Sequence, residues 1–169
     1  MGEFLTHPFG PLYGPDSRVL ILGSFPSVKS REISFYYGHP QNRFWKVIPR
    51  LFGKDIPVTI EEKKKLILSN GLALWDTIGS CEITGSSDAS IKNASANDIS
   101  IILDACRIRK IFCNGKLSHS LYHKLLEPVT GMEAVCLPST SPANAAWKTD
   151  DLVREWSRIL DFLGDEENS

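Results

Sequence analysis

The stretch Val19-Leu20-Ile21-Leu22-Gly23-Ser24-Phe25-Pro26-Ser27 decides the fold. Residues 19–22 are apolar without alternation, the pattern of a strand covered on both faces, and the Gly-Ser-Phe-Pro-Ser that follows is turn chemistry. A buried strand running into such a turn belongs to an open α/β sheet, where ligands bind beyond the carboxyl ends of the strands. Gly23 therefore marks the edge at which a site is expected. Further on, Tyr36-Tyr37-Gly38-His39-Pro40-Gln41-Asn42-Arg43-Phe44-Trp45 sets adjacent tyrosines, a His-Pro bend, and a carboxamide and guanidinium at a helix start. Together they offer stacking, a turn and hydrogen-bonding groups, which suits gripping a flat polar ring.

Working outward, the chain alternates strand and helix. A helix from Asn42 carries Phe44, Trp45, Val47, Ile48, Leu51 and Phe52, with Pro49 expected to kink or shorten it and Gly53 to stop it. Thr59 and Glu62 form a capping box before a helix that stops at Asn70-Gly71. Residues 73–75 read as a short strand and 77–93 as a long polar loop; Ser95 then caps a helix marked by Ile99, Ile102, Leu103 and Cys106. Residues 110–113 are the third strand, Asn114-Gly115 turns into a helix carrying Leu117, Leu121, Leu125 and Leu126 and closed by Pro128, and 134–137 are the fourth strand. The loop from Pro138 to Asn144 leads to a last helix striped by Leu152, Val153, Trp156, Ile159, Leu160 and Leu163. This alternation predicts one α/β domain with a central, mostly parallel sheet of about four strands, helices on both faces and right-handed crossovers. Its limits are 18–164, after an irregular, Gly- and Pro-rich arm at 1–17 and before an acidic tail at 165–169. The segments after Leu22, Trp75, Cys113 and Leu137 should converge on one edge.

Composition bounds what such a domain can do. A chain of 169 residues, 42% of them hydrophobic, holds a sizeable core and is expected to be one domain. No run is long enough to span a bilayer, and the N-terminus lacks the charged-then-apolar order of a signal peptide. The expectation is a cytoplasmic protein, associated with the nucleoid when on DNA, or a nuclear one in a eukaryote. A net charge of −1 argues against a generally basic, DNA-coating protein but leaves room for a local basic surface. Cys81, Cys106, Cys113 and Cys136 include no Cys-x-x-Cys pair, so buried reduced thiols are the expectation. An iron-sulfur cluster is the alternative that their spacing leaves open.

With the elements placed, the motifs resemble those of a known family over nearly the whole chain. Gly23-Ser24-Phe25-Pro26-Ser27 after the first strand, with Ser139-Thr140-Ser141-Pro142-Ala143-Asn144 after the fourth, resembles the motif pair of the uracil-DNA glycosylase superfamily in its hypoxanthine-DNA (deoxyinosine) glycosylase branch. The segment His39-Pro40-Gln41-Asn42-Arg43-Phe44-Trp45-Lys46-Val47 is similar to the corresponding stretch of the mismatch-specific uracil and thymine glycosylases. The resemblance implies a monomeric, monofunctional DNA glycosylase that acts on hypoxanthine first and uracil second, needs no metal or cofactor, and has DNA containing deaminated bases as its partner. Such an enzyme flips the nucleotide out, grips the base and stabilises a sugar of oxocarbenium character as the base leaves.

One departure matters. The mismatch-specific branch carries an Asn in the first motif to position the attacking water, and Phe25 stands there, able to stack but not to hold water. The carboxamide must then come from elsewhere, and Asn42 is the candidate, orienting water and complementing charge rather than removing a proton. Gly23, Ser24, Phe25, Pro26, Ser27, Tyr37 and Asp76 are the base-binding candidates, with Tyr36 left open between pocket and core. Ser139, Thr140, Ser141, Pro142 and Asn144, with Lys29, Arg31, Arg43, Lys92 and Lys148, are the candidates for DNA contact.

Each has a plainer reading. Asn42 suits a helix N-cap, Asp76 a turn bond, His39 a structural bend, Ser139, Ser141 and Asn144 a capped turn, and single lysines solubility. Three other functions also stay open: a module that holds a base or damaged DNA without cutting, a mismatch-specific uracil/thymine glycosylase, and a nucleoside or nucleotide hydrolase.

Overall fold

The computed structural model describes residues 2–84 and 90–164. A short strand, β1 (Glu3–Thr6), precedes the apolar run, which forms β2 (Val19–Gly23). Every residue of β2 is buried, so helices or loops cover both of its faces. Next come helices α1 (Val28–Ile33), α2 (Phe44–Leu51) and α3 (Ile60–Ser69), then strand β3 (Leu72–Asp76). A hairpin of β4 (Ile78–Ile83) and β5 (Lys92–Ala96) leads to α4 (Ser100–Ala105) and β6 (Lys110–Asn114). The chain closes with α5 (Lys116–Leu125), α6 (Glu127–Thr130), β7 (Ala134–Leu137) and α7 (Thr149–Trp156), which tightens into a 3-10 segment, Ser157–Phe162.

The central sheet has four parallel strands in the order β3-β2-β6-β7, as the alternation of elements predicts. Its register sets Gly23 beside Asp76, Leu22 beside Cys113 and Asn114 beside Leu137, so the strands end together at one edge. The core gathers on both sides of β2, with Phe44, Ile48, Phe112, Tyr122 and Trp156 among its largest fully buried side chains. Trp156 also donates its indole N–H to the carbonyl of Pro138 at 2.9 Å, tying α7 to the loop that follows β7.

Several elements differ from expectation for identifiable reasons. The N-terminal arm is not irregular throughout. β1 pairs antiparallel with β4, and Leu12 exchanges backbone hydrogen bonds with Leu74 at 2.9 and 2.8 Å, closing the free edge of β3. Nor is 77–93 a loop: β1, β4 and β5 make a second, three-stranded antiparallel sheet, and only 85–89 of that span lies outside the described residues. Ser95 consequently sits in β5, and α4 is instead started by Asp98, whose carboxylate accepts from the Ser100 N–H at 3.1 Å. Pro128 lies inside α6 rather than ending a helix, because a proline near a helix start lacks only an N–H that would be unpaired anyway. α5 buries Ser118 and Tyr122 while its leucines at 117, 121 and 125 stay partly exposed. The Thr59 hydroxyl caps α3 from the Glu62 N–H at 3.1 Å, but the Glu62 side chain reaches back to Val58 rather than to Thr59.

Candidate active site

The strand ends enclose a cavity of about 400 Å³. Its walls are the whole Gly23-to-Ser27 turn, Ser30, Tyr36, Tyr37, Asn42, Asp76, Asn114, and Ser139, Thr140, Ser141 and Ala143 of the loop after β7. The base-binding candidates are therefore together, and loop residues assigned to the DNA backbone share the same walls.

Gly23 lies where only glycine fits. A Cβ there would stand 2.4 Å from Oδ1 of Asp76 and 3.2 Å from the Tyr37 hydroxyl, because the register sets Gly23 and Asp76 side by side. Gly23→Ala is expected to push the carboxylate aside, costing about 1–3 kcal/mol of stability and most of the activity; thermal melting and base-release kinetics on the same preparation check both.

Asp76 is 4% exposed, and its Oδ2 accepts a 2.7 Å hydrogen bond from Nε2 of His7, whose side chain is equally buried. The His7 Nδ1 faces the Phe9 backbone N–H at 3.4 Å, which places the ring proton on Nε2 and makes that nitrogen the donor. His7 packs edge-on against Phe9, Phe25 and Trp75, so its ring has little freedom to turn away. One carboxylate oxygen is thus pinned, while the other lies against Gly23, in a residue that lines the cavity.

Tyr37 stacks on Phe44 with ring centroids 4.0 Å apart, and its backbone is left-handed at φ 52°, an unfavourable conformation for a bulky residue. Ser30 stabilises this turn: its hydroxyl accepts from the Gly38 N–H at 2.8 Å. The Tyr37 hydroxyl is buried beside the Asn114 side chain and makes no hydrogen bond of normal geometry among the described residues; burial, then the nearby Asp76 carboxylate, raise its pKa far above the usual range against the opposing pull of Asn114. It remains a neutral phenol at any working pH. Tyr36 lines the cavity too, but its hydroxyl donates to the carbonyls of Gly10 and Leu74, at 2.9 and 3.1 Å, a core role.

Asn42 precedes the Arg43 N-cap of α2, and its Oδ1 accepts from the Phe44 N–H at 2.9 Å. The same oxygen accepts from the Thr140 hydroxyl at 2.8 Å. Capping and lining the cavity are combined in one side chain. His39 is exposed and accepts from the Gln41 N–H at 3.1 Å, a bend residue as expected.

Two DNA-contact assignments, Arg43 and Thr140, are corrected. Arg43 turns inward, donating to the carbonyl of Trp147 and, at 3.1 Å each, to those of Ser141 and Asn144. Its planar fork suits several carbonyls on one loop, which residue type alone could not distinguish from a phosphate clamp. Thr140 is fully buried and bonded inside the protein, out of reach of a phosphate. Lys92 lies on β5, beside Glu82, on the other sheet. Lys29 and Lys148 remain exposed, and Arg31 donates to the Pro26 carbonyl at 3.1 Å with its guanidinium 5.8 Å from the Phe25 ring centre. In the loop, Ser139 Oγ accepts from the Ser141 N–H and Ser141 Oγ from the Ala143 N–H, both at 3.1 Å, so each hydroxyl proton stays available to an outside acceptor. The Asn144 amide donates to the Ser139 carbonyl at 3.0 Å, bracing the turn that Pro142 already stiffens.

A lysine at 43 has one nitrogen where the guanidinium uses two, so it lacks the planar fork that reaches these three carbonyls. Arg43→Lys is expected to speed hydrogen exchange across 141–147 and slow base release, while leaving the slope of DNA affinity against salt unchanged. Loss of a phosphate contact would instead lower that slope by about one.

Sequence reasoning missed His7 and Asn114. Asn114 ends β6 at the predicted edge and could have been found there; His7 reaches the site only through the pairing of β1 with β4, for which the local sequence has no signal. Cys81, Cys106 and Cys113 are buried and Cys136 is half-buried, all four as free thiols, and burial pushes Cys113 up to about 12. Among the described residues no group of three or more His, Cys, Asp or Glu is placed to hold a metal ion.

The model of the uracil DNA glycosylase superfamily matches residues 11–161. The chain belongs to that superfamily. As a DNA glycosylase, it is 33% identical over 138 residues to the hypoxanthine DNA glycosylase of Methanosarcina barkeri, covering 80% of this chain and 86% of the relative. It is 31% identical over 154 residues to the protein of the same name from Methanosarcina acetivorans, covering 90% and 96%. A solution NMR structure of a candidate uracil DNA glycosylase from Methanosarcina acetivorans superposes with a TM-score of 0.80 at 29% identity, over 95% of this glycosylase and 99% of that chain. No helix among the described residues is long and apolar enough to cross a membrane.

Proposed function

We propose that this DNA glycosylase acts in base excision repair as a monofunctional monomer, hydrolysing the N-glycosidic bond of deaminated bases, hypoxanthine first and uracil second, and leaving an abasic site. The observation that carries the preference is the buried Asp76 carboxylate, which lines the cavity with one oxygen held by His7 and the other beside Gly23, where it can accept from the base. Hypoxanthine presents an N1–H donor on its Watson–Crick edge, where adenine presents a lone pair. A carboxylate accepts from the first and repels the second. The N3–H of uracil satisfies the same acceptor, but the smaller ring fills less of a cavity walled by Phe25 and Tyr37. The names of the two relatives support hypoxanthine as a substrate.

The target nucleotide leaves the stack and its base enters the cavity. As the bond from C1′ to the base breaks, the electron pair goes to the base and the sugar gains oxocarbenium character; water then adds at C1′ and loses a proton to solvent, and the base anion takes one up, which leaves free base and an abasic sugar. Asn42 stands at the cavity wall as the catalytic side chain, and the turn at Gly23 to Ser27 offers backbone N–H groups to the base carbonyl. Ser139 and Ser141 meet the DNA backbone through their hydroxyl protons, helped by Lys29 and Lys148. With no large apolar group in the loop to fill the gap of a flipped nucleotide, the reaction depends on a weak starting pair.

Base release from duplex and single-stranded oligonucleotides carrying deoxyinosine, deoxyuridine, deoxyxanthosine or a mismatched thymidine tests this. Deoxyinosine should be fastest, with gains in mismatched and single-stranded contexts. A uracil rate well above the hypoxanthine rate would move the enzyme to the uracil or mismatch branch, tight binding without release would make it a binding module, and cleavage of free nucleosides a nucleoside hydrolase.

A further inference from the structure

Thr140 and Asn114 bind Asn42 in a hydrogen-bond chain whose direction is fixed at both ends by backbone donors. At one end the Thr140 N–H donates to Asn114 Oδ1 at 3.0 Å; an N–H can only donate, so the oxygen of that carboxamide is identified and its Nδ2 faces Thr140. Asn114 Nδ2 donates to Thr140 Oγ1 at 3.0 Å. That leaves the Thr140 hydroxyl proton for Asn42, 2.8 Å away. At the other end the Phe44 N–H donates to the same atom of Asn42 at 2.9 Å, so that atom is the carbonyl oxygen. Both of its acceptor positions are filled. The Asn42 Nδ2 makes no hydrogen bond among the described residues, and the side chain is partly exposed on the cavity wall.

We propose that Asn42 works as a hydrogen-bond donor to the departing base, and that Thr140 and Asn114 are positioning residues that impose this polarity. The inference rests on the reading of the cavity as a glycosylase site and changes what Asn42 does there. An amide that orients water as an acceptor takes one of the water's protons through its carbonyl, and that carbonyl is already saturated. A donor aimed at the water's oxygen would take one of its two lone pairs and draw electron density from the other, making the water a poorer nucleophile. Aimed at the base, the same N–H complements charge that appears only as the bond to C1′ breaks and the electron pair moves onto the ring. Thr140, fully buried with both hydroxyl roles used, is poised for this task and for no contact with DNA.

The test is single-turnover release of hypoxanthine by the full chain carrying Asn42→Asp, Asn42→Ala, Thr140→Val or Thr140→Ser. Aspartate keeps an oxygen for Phe44 and Thr140 but turns a second acceptor to the cavity. Asn42→Asp is therefore expected to fall about 10²-fold at neutral pH, as far as Asn42→Ala. It should recover relative to wild type as the pH is lowered and the carboxyl gains a proton to donate. Asp76, Tyr36 and Tyr37, the titratable groups on the same cavity, are common to all variants, so the ratio to wild type isolates position 42. Thr140→Val is expected to lose about tenfold in rate with DNA affinity retained, and Thr140→Ser to restore it. An Asn42→Asp enzyme that exceeds Asn42→Ala and improves as pH rises, or a Thr140→Val enzyme of full rate, would overturn the donor role. A wild-type protein that releases no base from deoxyinosine or deoxyuridine would sink the glycosylase reading beneath it.

Discussion

Asn42→Ala is expected to lower the single-turnover rate of hypoxanthine release by about 10²- to 10³-fold, the loss seen when one well-placed hydrogen-bonding group is removed from a developing anion. The side chain also caps α2 through the Phe44 N–H and receives the Thr140 hydroxyl, so stability should fall as well, by about 1–2 kcal/mol. The two effects separate by measurement. A catalytic group costs rate at saturating enzyme with DNA affinity nearly intact, whereas a cap alone would lower the melting temperature and leave the folded fraction fully active. Equal proportional losses in folded protein and in rate would reduce Asn42 to its structural role.

Asp76→Asn carries the second large effect, this time on selectivity. His7 would still donate to the remaining oxygen, so the amide N–H₂ would take the place of the oxygen now beside Gly23 and present donors to the N1–H of hypoxanthine. A buried donor facing a donor is strongly unfavourable, and the deoxyinosine rate is expected to drop by about 10²-fold or more. His7→Ala should cost less, about tenfold, because the carboxylate remains but is no longer pinned. Rates for deoxyinosine and deoxyuridine in matched duplexes decide the matter. An Asp76→Asn enzyme that keeps both its rate and its preference would place Asp76 outside base recognition.

The central sheet was readable because β2 is an unbroken apolar run and the elements around it alternate, which leaves few topologies open. The second sheet was not. β4 and β5 carry Ser, Glu, Lys and Asn among their apolar residues, and β1 pairs with β4 across most of a hundred positions of chain, a contact that no local pattern encodes. The site divides along the same line. Gly23, Phe25, Tyr37, Asn42, Asp76 and the loop after β7 meet because strand ends must converge on one edge, and that follows from order alone. Which way a side chain points does not. Arg43 adjoins Asn42 and Thr140 is itself part of the cavity wall, yet the first reaches back to three carbonyls and the second, fully buried, spends its hydroxyl on Asn42 and Asn114. The half-buried leucines of α5 make the same point, since Ser118 is the residue that reaches the Leu22 carbonyl, at 2.8 Å.

The most direct test of the account is a mass balance on an oligonucleotide with one deoxyinosine and excess enzyme. Free hypoxanthine should appear in one-to-one yield with an abasic strand that stays intact until alkali is added, and Asn42→Ala run beside it should leave the substrate almost untouched. Recovery of the whole oligonucleotide, bound but unchanged, would contradict the central claim, and strand breakage without alkali would contradict its monofunctional form.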